Sequence, residues 1–202
     1  MPIFASKEGK LTALNTLPMS KERKLQSMIE NNMREALDMH FIASEYRIAS
    51  GRIDTLAVDN DGCPVIIEYK RNRNDNVICQ ALSYLKWLRA QRSEFFEMLM
   101  LNQLGNEVAN SIKLDWNHPR IVCIAESYSP RDIDTVEVLP LRIDLFRYRQ
   151  YEAGLFSLEI VALNEQQKAL VEACQAMPAN SGTNWTRIPR QTGQPFQSKL
   201  DT

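Results

Sequence analysis

Between Ser20 and Leu37 the apolar residues fall at helical spacing. Leu25, Met28, Ile29, Met33 and Leu37 form one stripe, and Ser20 stands ahead of it as the expected N-cap. Glu22, Gln26 and Glu30 recur every four residues and line a second face of the same helix. The period then drops to two. Residues 41–49 and 52–59 read as strands, and Val65-Ile66-Ile67 begins a third of more buried character. Asn60-Asp61-Gly62 joins the last two with turn chemistry, Gly62 suiting the left-handed position of a three-residue loop. Closing that loop pairs Asp59 with Cys63, sets Asp54 opposite Glu68 and puts Arg52 opposite Lys70. A slip of one residue would send Asp54 and Glu68 to different faces.

Helical spacing returns over 77–89, with Ala81, Leu85 and Leu88 turned inward and Gln80 one turn from Tyr84. A second helix is expected over 93–104, ended by Gly105. Residues 120–125 read as a buried strand, 130–139 as a short helix, and 141–151 with 155–163 as a hairpin about Glu152-Ala153-Gly154. Asn164 is the expected cap of a last helix reaching Met177. This order predicts an α/β fold, a mixed central sheet flanked by helices. Residues 1–19 read as an N-terminal arm or strand and 20–177 as the α/β domain. Residues 178–202, rich in Pro, Gly, Ser, Thr, Gln and Asn, read as a flexible tail or a linker to a further domain.

Composition narrows the classes. The chain has 202 residues, enough for one well-buried domain, and its 44% hydrophobic and 24% charged content is ordinary for a globular protein. No apolar stretch nears the roughly 20 residues of a membrane span, and the N-terminus lacks the basic-then-apolar pattern of a signal peptide. The expected compartment is therefore the cytoplasm. Cys63, Cys79, Cys123 and Cys174 show no C-x-x-C spacing, which argues against structural zinc and a disulfide framework. A net charge of −1 argues against a basic coat, but Lys70, Arg71 and Arg73, with Lys86, Arg89 and Arg92, make local patches.

The chemistry gathers on the first hairpin. Residues directly opposed in a sheet hold their Cβ atoms about 4.5–5.5 Å apart, so ionised Asp54 and Glu68 would destabilise it unless a cation lay between them. Oxygen donors of this kind suit a hard divalent ion. Lys70 shares the face of Glu68. The alternative is a surface Glu–Lys pair on a half-exposed strand, against which Ile66 and Ile67 imply burial.

Asp54, Glu68 and Lys70 resemble the motif of the PD-(D/E)XK nuclease superfamily, with Ile53 where many members carry proline. The wider segment from Glu22 to Trp87 resembles the catalytic domain of NucS-type endonucleases and of related Mrr- and RecB-like nucleases. Its matching pieces are Glu22 to Gln26, Glu45-Tyr46, Gly51 to Asp54, Asp61-Gly62, Val65 to Arg71, and Gln80-x-x-x-Tyr84. The resemblance implies a restriction-endonuclease-like core and hydrolysis of DNA phosphodiesters with Mg²⁺ or Mn²⁺, in repair, restriction or phage defence. It implies Asp54, Glu68, Lys70, Gln80 and Tyr84 as catalytic residues. Asp54, Glu68, the carbonyl of Tyr69 and either Glu22 or Glu30 would hold metal. Arg52, Lys70, Arg71, Arg73 and Tyr84 would contact nucleic acid. Carboxylates beside Lys70 keep an amine charged, so its expected role is electrostatic. A homodimer is left open. The runner-up is a non-catalytic nucleic-acid-binding module retaining the nuclease fold.

Overall fold

The computed structural model describes residues 3–71 and 77–162. Arg73, the expected helix beginning at Asn164 and the 178–202 segment lie outside the described residues.

Three short strands open the chain: β1 (Phe4–Lys7), β2 (Lys10–Ala13) and β3 (Thr16–Leu17). The first two form a separate exposed hairpin, and the third joins the main sheet. The amphipathic stripe then folds as two helices, α1 (Glu22–Asn31) and α2 (Met33–Leu37), rather than one. Asn32 breaks it with φ −128°, its side chain donating to the Met28 carbonyl at 2.8 Å. The N-cap is Lys21, not Ser20, and no side chain caps the helix. Ser20 instead presents its carbonyl to Arg71 Nη1 at 3.2 Å. Leu25, Ile29 and Met33 are buried, as the stripe requires.

Next come β4 (Met39–Ile48), β5 (Gly51–Asp59) and β6 (Pro64–Lys70), an antiparallel meander. Thr55 faces Ile67 and Val58 faces Pro64, which is the register expected from the Asn60-Asp61-Gly62 turn. Gly62 has φ +81°, and a Cβ there would lie 1.9 Å from the Lys113 carbonyl oxygen. Helices α3 (Val77–Arg89) and α4 (Ser93–Ser111) follow. Gly105, at φ +77° and ψ 166°, interrupts α4, and helical turns resume beyond it to Ser111.

The remaining elements are β7 (Arg120–Ala125), α5 (Pro130–Val138), β8 (Arg142–Tyr151) and β9 (Phe156–Ala162). Strands β6, β7 and β8 run parallel, and β9 returns antiparallel to β8. The result is a mixed seven-stranded sheet in the order β3-β8-β7-β6-β5-β4, with β9 on β8.

Helices cover both faces of this sheet. Leu25, Ile29 and Met33 pack on Ala57, Val65, Ile67, Val122 and Ile124 from one side. Residues of α3, α4 and α5 pack on Leu56, Val58, Ile66, Ile121 and Cys123 from the other. Every residue of β7 is buried, as a parallel strand covered on both faces must be.

A charged cluster closes the turn end of the β5–β6 hairpin. Buried Arg120 forks onto buried Asp144. Asp59 Oδ1 accepts from the amides of Asp61 at 3.1 Å and Cys63 at 2.8 Å, and its Oδ2 lies 3.6 Å from both Arg120 and Arg142. The cluster ties the turn to β7 and β8. The carboxylates of interest stand at the other end of the hairpin.

Candidate active-site cleft

The β5–β6 ladder ends at the Thr55–Ile67 pair. Side chains take over from there. The Asp54 amide donates to Glu68 Oε1 at 3.3 Å, and the Tyr69 amide donates to Asp54 Oδ2 at 3.1 Å. Asp54 and Glu68 are therefore opposed, as the register requires, but each acts as a hydrogen-bond partner to the other's strand. The Arg52–Lys70 pairing expected from the same register does not form, because the strands have already parted. Arg52 is instead the register partner of Arg47 on β4.

Glu68 is fully buried. Its Oε2 accepts from Gln80 Nε2 at 2.9 Å, and the same nitrogen lies 3.2 Å from the Tyr84 hydroxyl. Burial, and then the facing Asp54, push the Glu68 carboxyl up to about 9. Asp54 is also raised, first by burial; the Tyr69 amide and Lys70 oppose that rise. A buried carboxylate pair of this kind favours a bound proton or a bound cation.

The start of α1 closes the cleft. Glu22 Oε1 lies 3.3 Å from Lys70 Nζ, and its Oε2 accepts from the Arg71 amide at 3.1 Å. One turn on, buried Gln26 donates Nε2 to the Asp54 carbonyl at 2.9 Å, with Glu30 Oε1 and Ser44 Oγ at 3.0 and 3.2 Å. Glu30 accepts the Thr55 hydroxyl at 2.6 Å and does not line the cleft. Of the two helix carboxylates, Glu22 is the one at the site. The Tyr69 side chain is buried on the α1 face, its hydroxyl 3.4 Å from that of Thr55.

The cleft is open and holds about 570 Å³. The structure brings Glu22, Arg52, Asp54, Lys70, Gln80 and Tyr84 to its walls. Arg71 is exposed beside it, its carbonyl accepting from the Tyr148 hydroxyl at 2.7 Å. Gly51, with φ +154°, passes so close to Tyr84 that a Cβ would lie 3.0 Å from the phenol oxygen.

Sequence reasoning did not single out Arg47 and Ile48, which also line the cleft. The two-residue Ala49-Ser50 connection between β4 and β5 was the available signal, since it sets Arg47 across from Arg52. It also left Gln26 without a role. Nothing local marks a helical glutamine as the partner of a carbonyl 28 residues away.

The anionic groups at the fork are the carboxylates of Asp54 and Glu68. Among the described residues no three His, Cys, Asp or Glu side chains already converge as a closed metal cage. Two carboxylates do converge, and their shared preference for positive charge fits a hard divalent ion.

Residues 21–112 match the family model described as the endonuclease NucS C-terminal domain. A curated Haemophilus influenzae protein, described as uncharacterized, is 29% identical over 162 residues, covering 80% of this chain and 53% of its own length. A solved EndoMS–dsDNA complex is 20% identical, with a TM-score of 0.43, covering 66% of this chain and 47% of that one. A repair endonuclease from Pyrococcus abyssi is also 20% identical, with a TM-score of 0.40 and coverages of 62% and 46%. The chain thus spans about half the length of these relatives.

Proposed function

We propose that the chain, whose residues 21–112 match the family model of the endonuclease NucS C-terminal domain, is a divalent-metal-dependent endonuclease that hydrolyses DNA phosphodiester bonds in the β5–β6 cleft. The observation that carries this reading is the fork itself. Asp54 and Glu68 stand opposed where the ladder ends, and Lys70 follows on the same strand.

Asp54, Glu68, the carbonyl of Tyr69 and Glu22 are the residues that would hold Mg²⁺ or Mn²⁺. When bound, the ion supplies electrostatic stabilisation of the phosphate and activation of water. Lys70 holds an ammonium at the cleft wall, only 15% exposed, where it offsets charge gathering on a phosphate. Gln80 fixes the Glu68 carboxylate and steadies the Tyr84 hydroxyl. Gln26 holds the Asp54 carbonyl and so the place where β5 leaves the ladder. Arg52, Lys70, Arg71, Arg73 and Tyr84 are the expected contacts to the nucleic-acid backbone.

The test is incubation of the purified protein with single-stranded, duplex and branched DNA in Mg²⁺ or Mn²⁺. Cleavage that disappears in Asp54→Ala and Lys70→Ala is the expected result. Binding without cleavage in either metal would replace this reading with that of a nucleic-acid-binding module.

A further inference from the structure

Arg47 and Arg52 are direct cross-strand partners on β4 and β5, and both line the cleft. Like charges directly opposed across two strands destabilise a sheet. The fold does little to relieve this pair. Arg52 Nη1 lies 2.6 Å from Glu45 Oε2, but that same oxygen is shared with Arg23 at 3.4 Å. Arg47 is exposed and has no ion-pair partner among the described residues. Arg23 and Arg52 therefore share one carboxylate, and among the described residues none pairs with Arg47.

The backbone shows a second irregularity at the same place. Glu45 has φ +54°, a left-handed conformation that a non-glycine residue adopts at a cost, and it drops out of the ladder between Ser44 and Tyr46. That turn aims the one carboxylate at Arg52. The excess positive charge lies on the cleft wall that also carries Asp54 and Lys70.

We infer that Arg47 and Arg52 form a two-guanidinium phosphate subsite, which grips a phosphate of the nucleic-acid backbone beside the one cleaved, with Glu45 as the positioning residue for Arg52. Guanidinium forks match phosphate oxygens in geometry as well as charge, and a phosphate between the two arginines turns their repulsion into attraction. The inference rests on the nuclease reading for the identity of the neighbouring phosphate. The grip itself needs only a phosphodiester backbone.

Fluorescence anisotropy with a labelled DNA duplex, measured in Mn²⁺ on Asp54→Ala protein over a series of salt concentrations, tests it. Each neutralised phosphate contributes about −0.9 to the slope of log affinity against log salt. Adding Arg47→Ala or Arg52→Ala should weaken binding about tenfold and make that slope shallower by about one. The pair should be non-additive, since one phosphate serves both. Arg52→Lys should recover only part of the loss, because an ammonium lacks the fork. Adding Glu45→Gln should move affinity in the same direction as Arg52→Ala while leaving the Arg47 contribution intact.

An unchanged slope in Arg47→Ala and Arg52→Ala overturns the subsite. If the protein without these changes cleaves DNA in the parallel assay, the nuclease reading survives that result. A shallower slope supports the subsite whether or not cleavage is seen. Absence of any salt-dependent DNA binding by the Asp54→Ala protein overturns the subsite.

Discussion

Glu22 and Lys70 sit 48 residues apart in sequence and meet at 3.3 Å, joining the first turn of α1 to the last residue of β6. The contact selects between two carboxylates that the sequence presents on one helical face. Glu22 lines the cleft, whereas Glu30 is engaged with Thr55 and Gln26.

Glu22→Gln should therefore weaken Mn²⁺ binding about 10–100-fold by isothermal calorimetry. Glu30→Gln should act on thermal stability and leave Mn²⁺ affinity within about twofold of the starting protein. The reverse pattern would transfer the role to Glu30.

The buried pair predicts how stability depends on pH. Glu68 holds its proton up to about 9 in the folded protein, against an ordinary value of 4.5. Through that window the folded state binds more protons than the unfolded chain. Metal-free stability should thus fall as pH rises from about 5 to about 8. Mn²⁺ competes with the proton, so its stabilising effect should grow over the same range. Asp54→Asn should flatten the metal-free dependence by removing the facing charge. Thermal unfolding in chelator and in Mn²⁺ at the two pH values measures all three, and a pH-independent response to Mn²⁺ would contradict the scheme.

Lys70→Ala should lower the single-turnover cleavage rate about 10²–10³-fold, the loss seen when one preorganised charge-stabilising donor is removed. Affinity for DNA should change far less, because only one of several backbone contacts is lost. A variant that loses binding and rate in equal measure would assign Lys70 to binding alone.

Gln26→Leu removes the amide that serves the Asp54 carbonyl, Glu30 and Ser44, at nearly constant volume. Leaving the part-buried Asp54 carbonyl without this donor should cost about 1–3 kcal/mol in urea unfolding. Cleavage should fall as well, since the strand carrying Asp54 loses its anchor. Full activity in a destabilised variant would confine Gln26 to the core.

The sheet and its register were largely readable, because they depend on local regularities. Alternation in β5, the Ile66-Ile67 run and the Asn60-Asp61-Gly62 turn together allow one closure, and the observed Thr55–Ile67 and Val58–Pro64 pairs belong to it. The long helix expected over 20–37 was interrupted because Asn32 satisfies Met28 with its own side chain, and periodicity does not register that competition. Arg47 escaped notice for a different reason. Its place in the cleft follows from a cross-strand partner, which becomes visible only when the short Ala49-Ser50 connection is closed. That Glu22 and not Glu30 lines the cleft follows from contacts with Lys70 and Arg71, far away in sequence, and the helix alone offers both.

The exchange of ladder bonds for carboxylate bonds at the fork has a consequence for how occupancy of the cleft is observed. Two peptide protons, those of Asp54 and Tyr69, are held by the carboxylates of Glu68 and Asp54, the two that would hold the cation under the proposed function. Whatever draws those oxygens into the cleft loosens that hold, so deuterium uptake at these two positions, flanked by slow-exchanging β-strand neighbours, becomes a built-in gauge of loading that requires neither substrate nor turnover.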